Sequence, residues 1–175
     1  MPADSVPRYL PNWPFPPYSF VPGQSIHPRR PGGHAHDEPP SLPALLDAQA
    51  PQSCRPFLRG LDLFNHGYYW EAHEEWEGLW RQANDPLDRA LLQGLIRLAA
   101  AGVKVRQGLY ENVHSHGQGA ARLFAQLRGG TSSAQHCGLD IEGLCAFASA
   151  VGKLPERSPS PAAVQVVFAP VLRLV

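Results

Sequence analysis

The stretch YYWEAHEEWEGLW, residues 68–80, constrains the fold of this chain more than any other. It holds three tryptophans, two tyrosines, four glutamates and one histidine. An α-helix turns by about 100° per residue, and on such a helix most of the aromatic residues share one side with His73, which predicts an amphipathic helix. Glu71 and Glu75 fall on the opposite side, where we expect solvent. Glu77 lies one turn after His73, beside the aromatic side chains.

His73 and Glu77 are the candidate functional pair, because residues four apart are neighbours on a helix. A carboxylate among aromatic rings is costly unless it is neutralised, ion-paired or metal-bound. Imidazole and carboxylate on one face would suit zinc, iron or manganese if other helices added ligands. HEEWE resembles the start of a zinc-protease HExxH helix, but Glu77 replaces the second histidine, so a protease is a poor interpretation. The alternative is a metal-free structural network that links the pair to Arg97 or to an indole.

Other residues could complete a polar pocket for a metal or a small polar ligand. The candidate ligand-binding residues are Arg97, Gln93, Tyr69 and Trp80. His34 and His36, in the segment IHPRRPGGHAHDE, would point the same way on an extended chain. They could add metal ligands if this segment folds back, or they could belong to a solvated loop. If a reaction occurs, metal-assisted hydrolysis with Glu74 or Glu77 as the base is the most economical class.

Three composition zones divide the chain. Residues 1–40 are rich in proline, which predicts an extended arm, and the aromatic residues of this arm predict that it docks on the body. Residues 41–154 show helical periodicity without a convincing strand pattern. Residues 155–175 are a linker and a short apolar tail, which could be a strand or a helix and could pack on its own domain or on a second subunit. The predicted fold is therefore an all-α, antiparallel helical bundle with an extended arm and an apolar tail.

Capping residues, glycines and prolines predict the helix bounds. Ser41 is a candidate cap for a short helix through Leu46. The longer predicted helices cover residues 57–64, 68–82, 87–107, 111–127 and 140–151. Residues 64–73 also resemble residues 105–114, with glycine, tyrosine and histidine in register. A repeated helical hairpin or chance similarity would explain this echo.

Two histidines and two glycines follow the echo. We expect His114 at the edge of an apolar face and His116 facing away from it. We expect Gly117 and Gly119 to permit close helix contact, because the spacing of a phosphate-binding loop is absent.

Composition excludes several classes of protein. Lys and Arg total 15, as do Asp and Glu, so no net field favours nucleic acid or an anionic membrane. Three cysteines without a CxxC spacing suit a reducing compartment. The N-terminus lacks a signal-peptide pattern, and polar residues interrupt the apolar run over residues 91–105. We therefore expect a cytoplasmic protein that binds neither nucleic acid nor membrane and that could form a homo-oligomer through its tail.

Two motifs resemble a known family. LFNHGYYWEAHEEWEGLWRQ, residues 63–82, and LLQGLIRLAAAGVKVRQG, residues 91–108, are similar to the bacterial, archaeal and plastid proteins catalogued as domain of unknown function 309. The matching positions are Phe64, Asn65, Gly67, Tyr69, Glu71, His73, Glu74, Glu77, Trp80, Gln93, Gly94, Leu95, Ile96, Leu98 and Ala99. Arg97 stands where the family often has glutamine. The resemblance covers about residues 58–127 and implies an all-α fold without assigning an activity. A non-enzymatic scaffold or protein-interaction module therefore remains the alternative function.

Overall fold

The computed structural model describes residues 6–39 and 43–175. These residues form five α-helices and one small antiparallel hairpin, which confirms the all-α class. The helices are α1 (Arg55–Asn65), α2 (Tyr69–Gln82), α3 (Pro86–Gln107), α4 (Tyr110–Gly130) and α5 (Ile141–Val151). A 3-10 turn over Pro51–Ser53 precedes α1. The strands β1 (Gln135–His136) and β2 (Leu139–Asp140) pair between α4 and α5.

The predicted helix bounds are close to the observed ones, and side-chain caps mark two of the helix starts. Asp85 caps α3 by accepting hydrogen bonds from two backbone amides, and Asp140 caps α5 by accepting one from Gly143. The short helix expected from Ser41 is wrong where it can be assessed. Ser41 and Leu42 lie outside the described residues, and residues 43–47 have no helical structure.

The sequence echo corresponds to two turns of the same geometry. Gly67 joins α1 to α2 with a φ of 88°, and Gly108 joins α3 to α4 with a φ of 72°. Only glycine adopts this left-handed conformation at no steric cost. The amide after each glycine donates to the carbonyl five residues earlier, at 2.9 Å in the first turn and 3.0 Å in the second. The chain therefore folds as two helical hairpins, followed by α5.

Helix α3 lies at the centre of the bundle, where it packs against both α2 and α4, while α5 packs against α4. Its buried residues are apolar except for Arg106 near its end, and Leu91, Leu92, Leu95, Leu98 and Ala99 are excluded from solvent. Gly117 and Gly119 of α4 allow close contact, as expected: the first faces the backbone of Gly152 and the second faces the side chain of Arg97. Within residues 6–39 and 43–175, every helix is too short or too polar to cross a bilayer.

The arm crosses α1 and α2, and its aromatic side chains dock there as expected. The ring of Phe15 stacks on that of Tyr68 with 4.9 Å between centres, and Phe20 meets Trp70 edge-on at 5.2 Å. The carboxylate of Asp62, fully buried in α1, accepts two hydrogen bonds of 2.8 Å from consecutive backbone amides of the arm, those of Tyr9 and Leu10.

The tail has neither helix nor strand structure, and it packs on its own domain. Phe168 and Leu172 are buried in the core. The side chain of Asn65 holds Leu172 in both directions, donating to its carbonyl at 2.8 Å and accepting from its amide at 2.9 Å. The tail also meets the arm, since the amide of Leu174 donates to the hydroxyl of Tyr9 at 2.8 Å.

Candidate metal and polar-ligand site on helix α2

Helix α2 is covered on two sides. Its core side buries Ala72, Trp76 and Leu79. On the other side the carboxylate of Glu71 is 7% exposed and accepts a 2.8 Å hydrogen bond from the amide of Phe20. The prediction that Glu71 faces solvent is therefore wrong, because the arm lies over it.

Glu75 was also expected to face solvent, and it is instead half-buried. Burial raises the pKa of its carboxyl to about 7; Arg59 opposes this shift, and the negative charges of Glu38 and Glu74 add to it. Sequence periodicity alone could not identify this group, because the helical wheel contains no information on where the arm docks.

His73, Glu74 and Glu77 form a cluster on the remaining face of α2, with one potential ligand atom of each within 4.8 Å of the others. His73 Nδ1 lies 3.5 Å from Glu74 Oε1 and 3.8 Å from Glu77 Oε2. Both distances exceed those of well-formed hydrogen bonds. This Nδ1 atom is buried and has no hydrogen-bond partner among the described residues. The other oxygen of Glu77 accepts a 3.0 Å hydrogen bond from Arg81.

The cluster is partly accessible to solvent. The exposed fractions of the side chains are 28% for His73, 44% for Glu74 and 30% for Glu77. The contact with His73 lowers the pKa of Glu74, an effect that burial partly offsets and that Arg29 and Arg81 reinforce. The carboxylate of Glu74 is therefore stabilised in its charged form.

Helices α3 and α4 add cationic groups near this cluster. His116 is half-buried, so the expectation that it faces away is wrong. Burial lowers its pKa first, followed by the positive charges of Arg97, Lys104 and His73. His116 Nδ1 is buried and lacks a hydrogen-bond partner among the described residues. Arg97, predicted as a ligand-binding residue, and His73 therefore both lie within electrostatic range of His116, which was not among the predicted site residues.

The other predicted ligand-binding residues, Gln93, Tyr69 and Trp80, lie in three different environments. Gln93 is half-buried on α3, one turn before Arg97. Tyr69 is buried, and its hydroxyl accepts a 2.9 Å hydrogen bond from the amide of Val167 in the tail, while burial raises its pKa to about 12. The ring of Trp80 packs 4.4 Å from the guanidinium of Arg89.

The arm folds back over α2, but it brings only His34 to a carboxylate there, that of Glu71. His34 Nε2 lies 3.0 Å from Glu71 Oε1, whereas His36 is exposed and its Nδ1 lies 3.2 Å from the carbonyl of Arg29. Neither belongs to the His73 cluster among the described residues. His114 is engaged elsewhere, since its Nε2 donates to the carbonyl of Leu154 at 2.8 Å.

Two cavities lie outside this cluster. One of about 240 Å³ is lined by residues of α5 and the tail, including Phe147, Val151 and Phe168. A smaller one of about 40 Å³ lies between α4 and the tail, beside Tyr110. Neither cavity is lined by a residue of α2, so the candidate site is a surface cluster distinct from both.

Fold and site together define a small all-α protein of two helical hairpins, with a histidine and two carboxylates clustered on its second helix. Residues 57–115, which run from α1 to the beginning of α4, match the family described as Domain of unknown function (DUF309). The curated proteins and the solved structures contain no significant match to this chain.

Proposed function

We propose that the protein binds a divalent metal ion through His73 and Glu77, with Glu74 as a further ligand or as the base for a metal-bound water. The observation that carries this proposal is His73 Nδ1, a buried nitrogen that faces two carboxylates and has no hydrogen-bond partner among the described residues. A coordination bond would satisfy this nitrogen.

The spacing of the cluster supports a metal ion. In a tetrahedral site with zinc–ligand bonds of about 2.0–2.1 Å, neighbouring nitrogen and oxygen ligands lie about 3.3 Å apart. The observed separations of 3.5 and 3.8 Å need only a small contraction. Glu77 can coordinate without releasing Arg81, because its two oxygens face different partners.

The neighbouring cations favour an anionic group on the open positions of the ion. Arg97 and Lys104 supply the positive charge, and both lie close enough to His116 to lower its pKa, so His116 itself favours the neutral form. A small polar ligand with a carboxylate or phosphate group would therefore meet the ion on one side and positive charge on the other. This arrangement suits metal-assisted hydrolysis of such a ligand.

Manganese binding to the full chain tests the proposal, because manganese prefers carboxylate ligands to thiolates. We expect about one manganese ion per chain, bound at least about tenfold more weakly in His73→Gln and Glu77→Gln, because each variant removes one ligand. Glu111→Gln, an exposed carboxylate on α4, is the control and should bind as the wild type does. Retention of wild-type affinity in both α2 variants would contradict the proposal.

A second candidate function is a scaffold that holds an extended proline-rich segment. Asp62 and Glu71 accept hydrogen bonds from arm amides, and Arg59 donates to the arm carbonyls of Trp13 and Pro14 at 3.1 and 2.7 Å. Hydrogen bonds to peptide backbone are how many proteins bind extended ligands. The arm therefore occupies a surface that could accept a similar segment of another chain.

Replacing Glu71 by glutamine tests this second candidate. The loss of its charge-assisted hydrogen bonds should raise the exchange rate of arm amides about tenfold, equivalent to about 1.4 kcal/mol. A peptide of residues 9–18, which lacks Ser19 and Phe20 and therefore makes none of their hydrogen bonds to Glu71, should then bind Glu71→Gln more tightly than wild type. Glu74→Gln is the matched control: Glu74 is exposed and lies three residues after Glu71 on α2, so this variant should change neither the exchange rate nor peptide binding. If no peptide binds to Glu71→Gln, the scaffold function is contradicted and the arm has a structural role only.

A further inference from the structure

The hairpin between α4 and α5 has an unusual residue in its turn. Its two-residue loop is Cys137-Gly138, and both residues have positive φ, at 47° and 71°. Turns of this kind favour asparagine, aspartate or glycine at the first position. Here that position is a cysteine whose side chain is buried, with 2% of the residue exposed.

The turn brings this thiol to a carboxylate and an imidazole. His136 Nε2 lies 2.7 Å from Asp88 Oδ1, and Cys137 Sγ lies 3.7 Å from the same oxygen. One ligand atom of each residue lies within 4.8 Å of the others. Asp88 belongs to the first turn of α3, so the cluster joins the central helix to the hairpin.

The electrostatics of the cluster favour a cation. Only 13% of the Asp88 side chain is exposed, and its one ion-pair partner among the described residues is His136. No lysine or arginine of those residues neutralises this carboxylate, although burying a carboxylate is costly without such a partner.

We propose that Asp88, His136 and Cys137 bind a zinc ion and leave its fourth coordination position open to water or to a ligand. Sulfur, nitrogen and oxygen are all ligands that zinc accepts. Neighbouring ligands of tetrahedral zinc lie about 3.3–3.6 Å apart, so the cysteine–aspartate distance must close by about 0.1 Å and the histidine–aspartate distance must open by about 0.6 Å. The site shares no residue with the α2 cluster.

Cobalt(II) titration of the full chain tests this site separately from the one on α2. Cobalt bound to a thiolate gives an intense charge-transfer band in the near-ultraviolet, which nitrogen and oxygen ligands alone do not give. We expect one cobalt per chain to contribute to this band, whether or not a second cobalt binds at the α2 cluster, and we expect the band to disappear when zinc is added. His73→Gln should keep the band, so the two metal proposals can fail independently.

Variants then assign the ligand set. Cys137→Ser should abolish the band, and Asp88→Asn, which preserves side-chain shape, should weaken cobalt binding at least about tenfold. Cys54→Ser and Cys145→Ser are the matched controls, since both remove a thiol outside the cluster and should retain the band. A wild-type titration without the band, or a band that persists in Cys137→Ser, would overturn the proposal. The wild-type titration alone decides the matter if a variant does not fold.

Discussion

Three glutamates within five residues of α2 have three different environments. Glu71 is buried under the arm, Glu74 is exposed, and Glu75 is half-buried with a raised pKa. The helical wheel correctly predicted the buried aromatic side, because apolar residues at helical spacing lie on the side of the helix that packs in the core. It failed for Glu71 and Glu75 because a carboxylate on the polar side of a helix is exposed only if no other segment covers it.

The raised pKa of Glu75 predicts a dependence of stability on pH. Its ordinary pKa is 4.5, and the folded value is about 7, so the folded state holds the proton more tightly than the unfolded state. The stabilisation is fully present below about pH 4.5 and is lost as the pH rises through about 7. Glu75→Gln changes the free energy of unfolding at each pH. We therefore expect this change to be more stabilising at pH 8 than at pH 5, by roughly 1–2 kcal/mol.

Urea unfolding at the two pH values measures this difference, and Glu111→Gln corrects for titration elsewhere because Glu111 is exposed. Equal effects of Glu75→Gln at pH 5 and pH 8 would show that this carboxyl has an ordinary pKa in the folded protein.

At the scale of elements, local sequence predicted the helices well and the connections less well. Asp85 and Asp140 mark helix starts through side-chain hydrogen bonds to nearby amides, an effect confined to a few residues. The hairpin over residues 135–140 was not predicted, since two-residue strands are too short to show alternation. The cluster of Asp88, His136 and Cys137 was missed for the same reason: only the hairpin brings distant residues together.

The turn glycine at Gly67 should be intolerant of a side chain. Alanine there would adopt a left-handed conformation, which costs about 1–2 kcal/mol, and its Cβ would lie 2.7 Å from backbone atoms of Gln165 in the tail. We expect Gly67→Ala to lower the free energy of unfolding by at least about 2 kcal/mol.

Gly78 provides the contrasting case within α2. A Cβ there would meet open space, so Gly78→Ala should raise the free energy of unfolding by about 0.5–1 kcal/mol through helix propensity. Chemical denaturation measures both variants. A neutral effect at Gly67 would mean that the turn and the tail rearrange easily.

At the scale of the whole molecule, the arm and the tail hold each other as well as the bundle. The hydroxyl of Tyr9 accepts from the amide of Leu174, and the amide of Ser19 donates to the carbonyl of Ala163 at 3.0 Å. Composition predicted that the arm docks, because aromatic residues are unusual in a free tail. It could not predict the contact between arm and tail, which depends on the path of each over α1 and α2.

Removal of the Tyr9 hydroxyl should loosen both segments together. In Tyr9→Phe we expect faster amide exchange in the arm and in residues 164–175, by about threefold to tenfold, because the loss of one hydrogen bond costs about 0.5–1.5 kcal/mol. Hydrogen exchange with mass spectrometry measures this change, while amides of α3 should keep their protection.

Tyr18→Phe is the matched control, since the hydroxyl of Tyr18 donates to Ile26 within the arm. Faster exchange in the arm alone after Tyr9→Phe would show that the two segments are held independently.

The two hydrogen bonds between Asn65 and Leu172 have a consequence for the order in which the chain folds during synthesis. These residues are 107 positions apart, so a ribosome finishes α1 long before it supplies the partner that α1 requires. The arm faces a similar delay, because its anchor in Asp62 is made 52 positions after Leu10. During synthesis the arm can close once α1 has emerged and the helical hairpins can form from nearby contacts, whereas the tail can dock only after Leu172 has emerged.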